Sequence, residues 1–223
     1  MLSPACASGA DRPPMLPSTI PIFPLPNVVL FPGVFLPLHI FEERYRALVR
    51  DALAGDRLIG IVLLRPGWED DYEGAPEVYD LGCAGLITHS ERLDDGGFNI
   101  VLHGMAKFRI LSEEQEVWSY RRARVEMLDE PMGDAVREEI RGRRHQLETL
   151  LAPMIDSSDQ HLPEAMPEDE LVNALSQYLD LEPVERQALL ECRDVVTRCA
   201  ALIELLEMKA MLPGSGWNGA EPH

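Results

Sequence analysis

Apolar side chains crowd together over residues 20–55, IPIFPLPNVVLFPGVFLPLHIFEERYRALVRDALAG, more densely than elsewhere in the chain. Prolines at 21, 24, 26, 32 and 37 interrupt the run. Each fixes φ and removes a ladder donor, so the pattern predicts short extended pieces over 20–23 and 34–40, bent around Asn27 and Gly33. A helix follows, because Phe41, Tyr45, Leu48, Val49, Ala52 and Leu53 recur at spacings of three and four and share one face. Glu42 and Glu43 in its first turn and Arg50 in its last suit the macrodipole, and Gly55 offers a left-handed stop.

Beyond Gly55 the unbroken apolar run LIGIVLL (58–64) predicts a strand buried on both faces. An acidic loop over 68–77 carries Glu69, Asp70, Asp71, Glu73 and Glu77, at a spacing that matches no calcium loop. Residues 80–90 read as a strand with small residues at Gly82, Ala84 and Gly85, where another backbone approaches closely. The turn Asp94-Asp95-Gly96-Gly97 leads to extended pieces over 98–103 and 107–111, separated by Gly104. A last strand over 120–128 alternates Arg122, Arg124 and Glu126 with Ala123, Val125 and Met127. From Pro131 helical periodicity takes over: Val136, Ile140, Leu147, Leu150, Leu151 and Ile155 form one stripe, with Pro153 as a bend or stop. A polar, proline-bearing linker over 156–170 precedes three further helices, at 171–179, from Pro183, and at 195–211.

Three stretches resemble the amino-terminal domain of Lon proteases. Residues 36–45, LPLHIFEERY, follow that family's phrase "lPLhIFEpRY", with Glu43 where proline is common. GCAGLITHSERLDDGGFNIVLHGMAKFRI (82–110) follows its strand–turn–strand pattern, with Lys107 where arginine is often found. ELVNALSQYLDLEPVERQALLECRDVVTRCAALIELL (170–206) resembles its helical half. The resemblance covers about residues 18–211 and implies an α+β fold: a PUA-like bent antiparallel β-barrel of about six strands with an inserted helix, then a C-terminal helical subdomain. The expected organisation is a disordered leader (1–17), the barrel (18–130), the helices (131–212) and a flexible tail (213–223). The motif residues Pro24, Pro37, Leu38, Ile40, Phe41, Glu42, Arg44, Tyr45, Gly82 and Gly104 are expected to be mainly structural.

Composition narrows function further. The 223 residues carry 20 basic and 38 acidic side chains for a net charge of −18, and neither half is basic, which argues against a nucleic-acid partner. No apolar run reaches about 18 residues, so no membrane span is expected, and the first 17 residues lack the features of a secretion signal. Cys6, Cys83, Cys192 and Cys199 show no CxxC pairing, which fits reduced thiols and a cytoplasmic location.

The expected chemistry is binding without catalysis. There is no phosphate-cradling G-x-x-x-x-G-K-[ST] loop, and neither Lys107 nor Lys209 sits in a serine–lysine dyad motif. The histidines and cysteines lack zinc-ligand spacing, so neither metal nor cofactor is expected. A thiol nucleophile built from Cys83 with His89 or His103 is the weakest of the alternatives. The resemblance implies a module that captures exposed apolar segments of unfolded or partner proteins, alone or with Lon or another protease or chaperone; a homodimer stays open. Leu25, Val28, Val29, Leu30 and Phe31 are the candidate peptide-binding residues, being too apolar for an ordinary exposed loop, with the seam between barrel and helices as their competing place. RNA recognition by the basic group from Arg121 to Arg144 is the rival reading, opposed by Glu138, Glu139 and Glu148 interleaved on the same helix.

Overall fold

The computed structural model describes residues 17–71, 74–114, 119–131, 133–152 and 166–211. The leader as far as residue 16, the middle of the acidic stretch at 72–73, Pro153 with most of the linker, and the tail lie outside these.

Six strands form one sheet in the order β2-β5-β4-β3-β1-β6, and β6 also pairs with β5. They are β1 (Thr19–Leu25), β2 (Phe35–Ile40), β3 (Leu58–Leu63), β4 (Leu81–Arg92), β5 (Phe98–Glu113) and β6 (Arg122–Leu128). The β5–β6 pairing closes five strands into a barrel. β5 is long enough to serve two partners on one edge, with residues 98–103 pairing β2 and residues 107–113 pairing β6. The sequence suggested two pieces broken at Gly104; the strand is continuous instead. All pairings are antiparallel except β1 with β3. β3 is buried along its whole length, as its unbroken apolar run predicts.

Gly104 and Gly82 are where backbones meet. A methyl group at Gly104 would overlap the carbonyl oxygen of Phe31, and one at Gly82 would overlap that of Ile61. Gly33 lies at φ +75 and donates its N–H to Gly104 O at 2.8 Å, while Gly104 donates to Val34 O at 2.9 Å. The turn thus needs glycine at both positions.

The helix α1 (Glu43–Ala54) buries Tyr45, Leu48, Val49 and Ala52. Three details differ from the periodicity argument. The helix begins at Glu43, so Phe41 precedes it and is exposed rather than inward. Gly55 is not left-handed (φ −114); Arg57, at φ 60, takes that conformation. Arg50 falls short of the last turn and instead pairs with Glu43. Trp68–Asp71 is a short 3₁₀ turn rather than open loop.

Four helices cap the barrel: α2 (Asp134–Leu151), α3 (Glu168–Tyr178), α4 (Pro183–Glu191) and α5 (Val195–Met211). One core joins the two layers, with Val29, Phe31, Val34, Leu63 and Leu81 from the β half packed among Ile140, Leu147, Val172, Leu190, Leu202 and Leu206.

Candidate functional site

Two exposed aromatic rings bracket β2, Phe35 at its start and Phe41 just past its end. Its partner positions on β5 are Phe35↔His103, Pro37↔Val101 and His39↔Asn99. Phe35 is 52% exposed and Phe41 61%, with Pro37 and His39 exposed between them. Leu36 and Ile40 point into the barrel core. The Phe35 ring lies 4.7 Å from that of His103, and the His39 and Phe41 rings stack at 6.1 Å. Tyr178 of α3, 61% exposed, donates its hydroxyl to Phe35 O and so extends the strip.

Backbone geometry leaves this strand open on one side. Gly104 bonds Val34, so by antiparallel alternation residues 36, 38 and 40 face β5, while 35, 37 and 39 face outward. Pro37, which has no N–H, falls on the outward register, where proline is tolerated. Gln177 Nε2 (2.9 Å) and Tyr178 occupy the outward carbonyl of Phe35. No strand among the described residues pairs the outer edge beyond it.

The five residues expected to hold peptide go elsewhere. Alternation along the loop sends Val29 (3% exposed) and Phe31 (0%) into the helical core and Leu30 (0%) into the barrel core. Leu25 and Val28 are partly buried against the barrel core. The segment stitches the two layers together and leaves little apolar surface for a partner. Of the motif residues, Pro24 and Ile40 are buried, Leu38 is partly buried, and Tyr45 packs its ring 4.1 Å from that of Phe23. Glu42 stands at the N-cap of α1 and pairs with Arg44 at 2.9 Å. Phe41 and Pro37 are the two motif members that face solvent.

A buried charge cluster pins the helices to the barrel. Glu130 accepts Lys107 Nζ at 2.7 Å and Arg198 Nη2 at 2.5 Å on one oxygen. Lys107 also reaches Cys192 O at 2.5 Å, and Arg198 reaches Leu189 O at 3.0 Å and Asn173 Oδ1 at 2.6 Å. Two cations share one carboxylate, and carbonyls at the C-terminal end of α4 supply the remaining negative potential. Asn173 in turn donates to Pro32 O, and Gln177 accepts from Phe31 N, so the loop 31–35 is bonded to α3 from both sides of the seam. The sequence carried a signal for this cluster: Lys107 interrupts an apolar strand, and Arg198 falls on the apolar face of α5 defined by Val195, Cys199, Leu202 and Leu206.

The other candidate chemistries are not assembled. Burial pushes the Cys83 thiol up to about 12, and its register partner is Lys107, whereas His89 pairs with Val101 and His103 with Leu86. Burial also raises the Cys192 and Cys199 thiols. Six of the seven arginines of the rival RNA surface are matched by carboxylates, Arg121 with Glu113, Arg122 with Glu114, Arg137 with Asp134, Arg141 with Glu138 and Glu168, Arg143 with Glu139, and Arg144 with Glu148, while Arg124 is exposed on β6. Such pairing leaves one exposed arginine where phosphate binding needs a cluster of uncancelled positive charge. A surface cleft of about 400 Å³ brings Arg65 and Arg121 near Glu77, Asp80 and Glu113, but both guanidiniums are held by neighbouring backbone carbonyls. Among the described residues no group of three or more His, Cys, Asp or Glu is placed to hold a metal ion, and no helix is long and apolar enough to cross a membrane.

A small barrel closed by a long shared strand, fused through a continuous core to a four-helix cap, defines a class of α+β domain whose polar interior is architectural. The chain belongs to the family described as the ATP-dependent protease La (LON) substrate-binding domain, whose model matches residues 19–208. It is 31% identical over 200 residues to Lon protease 2 of Myxococcus xanthus and 30% identical to the Lon protease of Anaeromyxobacter dehalogenans, in each case over 87% of this chain and 24% of the relative. The chain therefore spans about a quarter of the length of these relatives. Among solved structures it resembles the N-terminal domain of a Mycobacterium avium complex Lon protease (17% identity, TM-score 0.64, 85% of this chain and 98% of that one). It also resembles a Lon N-terminal domain protein from Xanthomonas campestris (21% identity, TM-score 0.56, 87% and 99%). At these identities the two structures speak for the fold.

Proposed function

We propose that this chain is a non-catalytic capture module for extended apolar segments of other proteins, with the outward face of β2 as its contact surface. The observation that carries the reading is the row Phe35, Pro37, His39 and Phe41, continued by Tyr178, exposed on and just past a strand whose outer edge no strand among the described residues pairs. Pro37 offers no N–H and the Phe35 carbonyl is taken, so exposed aromatic side chains rather than a main-chain ladder would make the contact, as in recognition of apolar segments by aromatic-lined surfaces. The family description, a substrate-binding domain, supports the same reading. Both lysines of the chain are engaged, Lys107 with Glu130 and Lys209 with Glu185 at 2.9 Å, which supports a role without the serine–lysine chemistry of a peptidase. Capture here serves either a partner protease of the Lon type or the chain acting alone in the cytoplasm.

The test is a fluorescence titration of a labelled, reduced and alkylated polypeptide against the full chain and against F35S/F41S. Binding at about 50 μM or tighter, weakened at least about tenfold by the double substitution with an unchanged far-UV spectrum, is expected. No binding at that concentration, or equal binding by both proteins, refutes the reading.

A further inference from the structure

The ends of the β2 strip carry a charge pattern that its apolar middle lacks. At the Phe41 end, Glu91, Asn99 and His39 form a row across β4, β5 and β2, since Glu91 pairs with Asn99 and Asn99 with His39. Asn99 Nδ2 lies 3.5 Å from Glu91 Oε2, and Asn99 Oδ1 lies 2.9 Å from His39 Nδ1, so the exposed Glu91 carboxylate sits on the same face as the aromatic strip. At the Phe35 end the Glu170 side chain lies over Gly33: a Cβ on that glycine would be 3.4 Å from Glu170 Cγ. Neither Glu91 nor Glu170 forms an ion pair with a base among the described residues, and the hydrogen bond of Glu91 is to the neutral Asn99. Arg44 and Arg46, in the first turn of α1, pair with Glu42 and Glu43.

We infer that the strip selects extended apolar segments carrying lysine or arginine at both ends. The inference rests on the capture reading above and names the class of segment captured. Between the levels of Gly33 and His39 six residues of chain span roughly 20 Å, and Glu91 stands two strands, about 10 Å, to the side. The matching segment thus has about six or seven apolar or aromatic residues between its basic ends and runs obliquely from β2 toward β4. A net charge of −18 repels acidic segments from the whole molecule and adds to the approach of basic ones. Glu91 and Glu170 turn that general attraction into a spacing requirement.

Three labelled peptides with one common seven-residue aromatic–aliphatic core, flanked on both sides by lysine, glutamine or glutamate, test this with the full chain and with E91Q/E170Q. For two exposed ion pairs the lysine-flanked peptide is expected to bind about tenfold tighter than the glutamine-flanked one, and the glutamate-flanked peptide weakest. In E91Q/E170Q the lysine advantage should fall to about twofold or less while the glutamine-flanked peptide binds as before. Equal affinity for all three peptides overturns the inference and leaves capture standing. An undiminished lysine preference in E91Q/E170Q overturns the assignment to these two carboxylates. Failure of every peptide to bind overturns both.

Discussion

Removing the Glu130 carboxylate should destabilise this fold more than removing any exposed carboxylate. Its side chain is 12% exposed, and its two cationic partners, Lys107 and Arg198, are 3% and 0% exposed. In Glu130→Ala both cations stay in the interior, facing each other with only carbonyl and amide oxygens for company. Stranding one buried charge costs about 3–5 kcal/mol, and the surviving bonds to Cys192 O, Leu189 O and Asn173 Oδ1 keep the double loss from exceeding the top of that range. For a domain of this size the loss corresponds to a fall in Tm of about 6–20 °C. Urea unfolding followed by far-UV circular dichroism gives the difference directly, provided the slope m is unchanged. Glu138→Ala, which breaks an exposed pair with Arg141, is the comparison and should cost no more than about 1 kcal/mol. A Glu130→Ala protein within about 0.5 kcal/mol of the parent, the range of ordinary surface changes, refutes the assignment of the cluster as the pin between the layers.

Gly104→Ala places a methyl group against the Phe31 carbonyl and breaks the turn 31–34, so it should cost at least about 1–3 kcal/mol by denaturation and weaken the peptide titration through the adjoining Phe35; by contrast Gly142→Ala, with open space on α2, should stabilise by about 0.5–1 kcal/mol. Asp194 caps α5, accepting the Thr197 backbone N–H at 2.8 Å and its hydroxyl at 2.7 Å, and these bonds hold its carboxyl down to about 2 from an ordinary 3.8. The charged form is favoured by folding, so the contribution is complete above the ordinary value and disappears as pH falls through about 2. Asp194→Ala should therefore cost about 1 kcal/mol at neutral pH and converge on the parent in acid, read as unfolding free energy against pH.

How much of this was legible in the sequence depends on how local the determining contact is. The strands and helices follow from period-2 and period-3.6 patterns within single windows, and their order survives into the structure. The Phe41 error was local as well: its spacing to Tyr45 is helical, but the chain turns helical only at Glu43, so the ring is left outside the wheel it was assigned to. Lys107, Glu130 and Arg198 come from three distant segments, and no periodicity announces which lone charge in an apolar run will find a partner.

Where the candidate residues 25–31 lie turns on a different ambiguity. Both 25–31 and 35–41 carry apolar side chains on both registers, broken only by Asn27 and His39, and one polar residue in each is too little to define an outward face. The layers decide: the loop 28–31 lies where barrel and helices meet and is consumed by both cores, whereas β2 joins the sheet at its rim and has only one core to face. What packing leaves over on β2 is an aromatic and proline row that the fold does not use, at two positions of the family phrase, Pro37 and Phe41. Fully exposing a large aromatic ring forgoes about 1.5–3 kcal/mol of burial, and the proposed capture surface is where Phe35 and Phe41 would recover part of that on binding a segment.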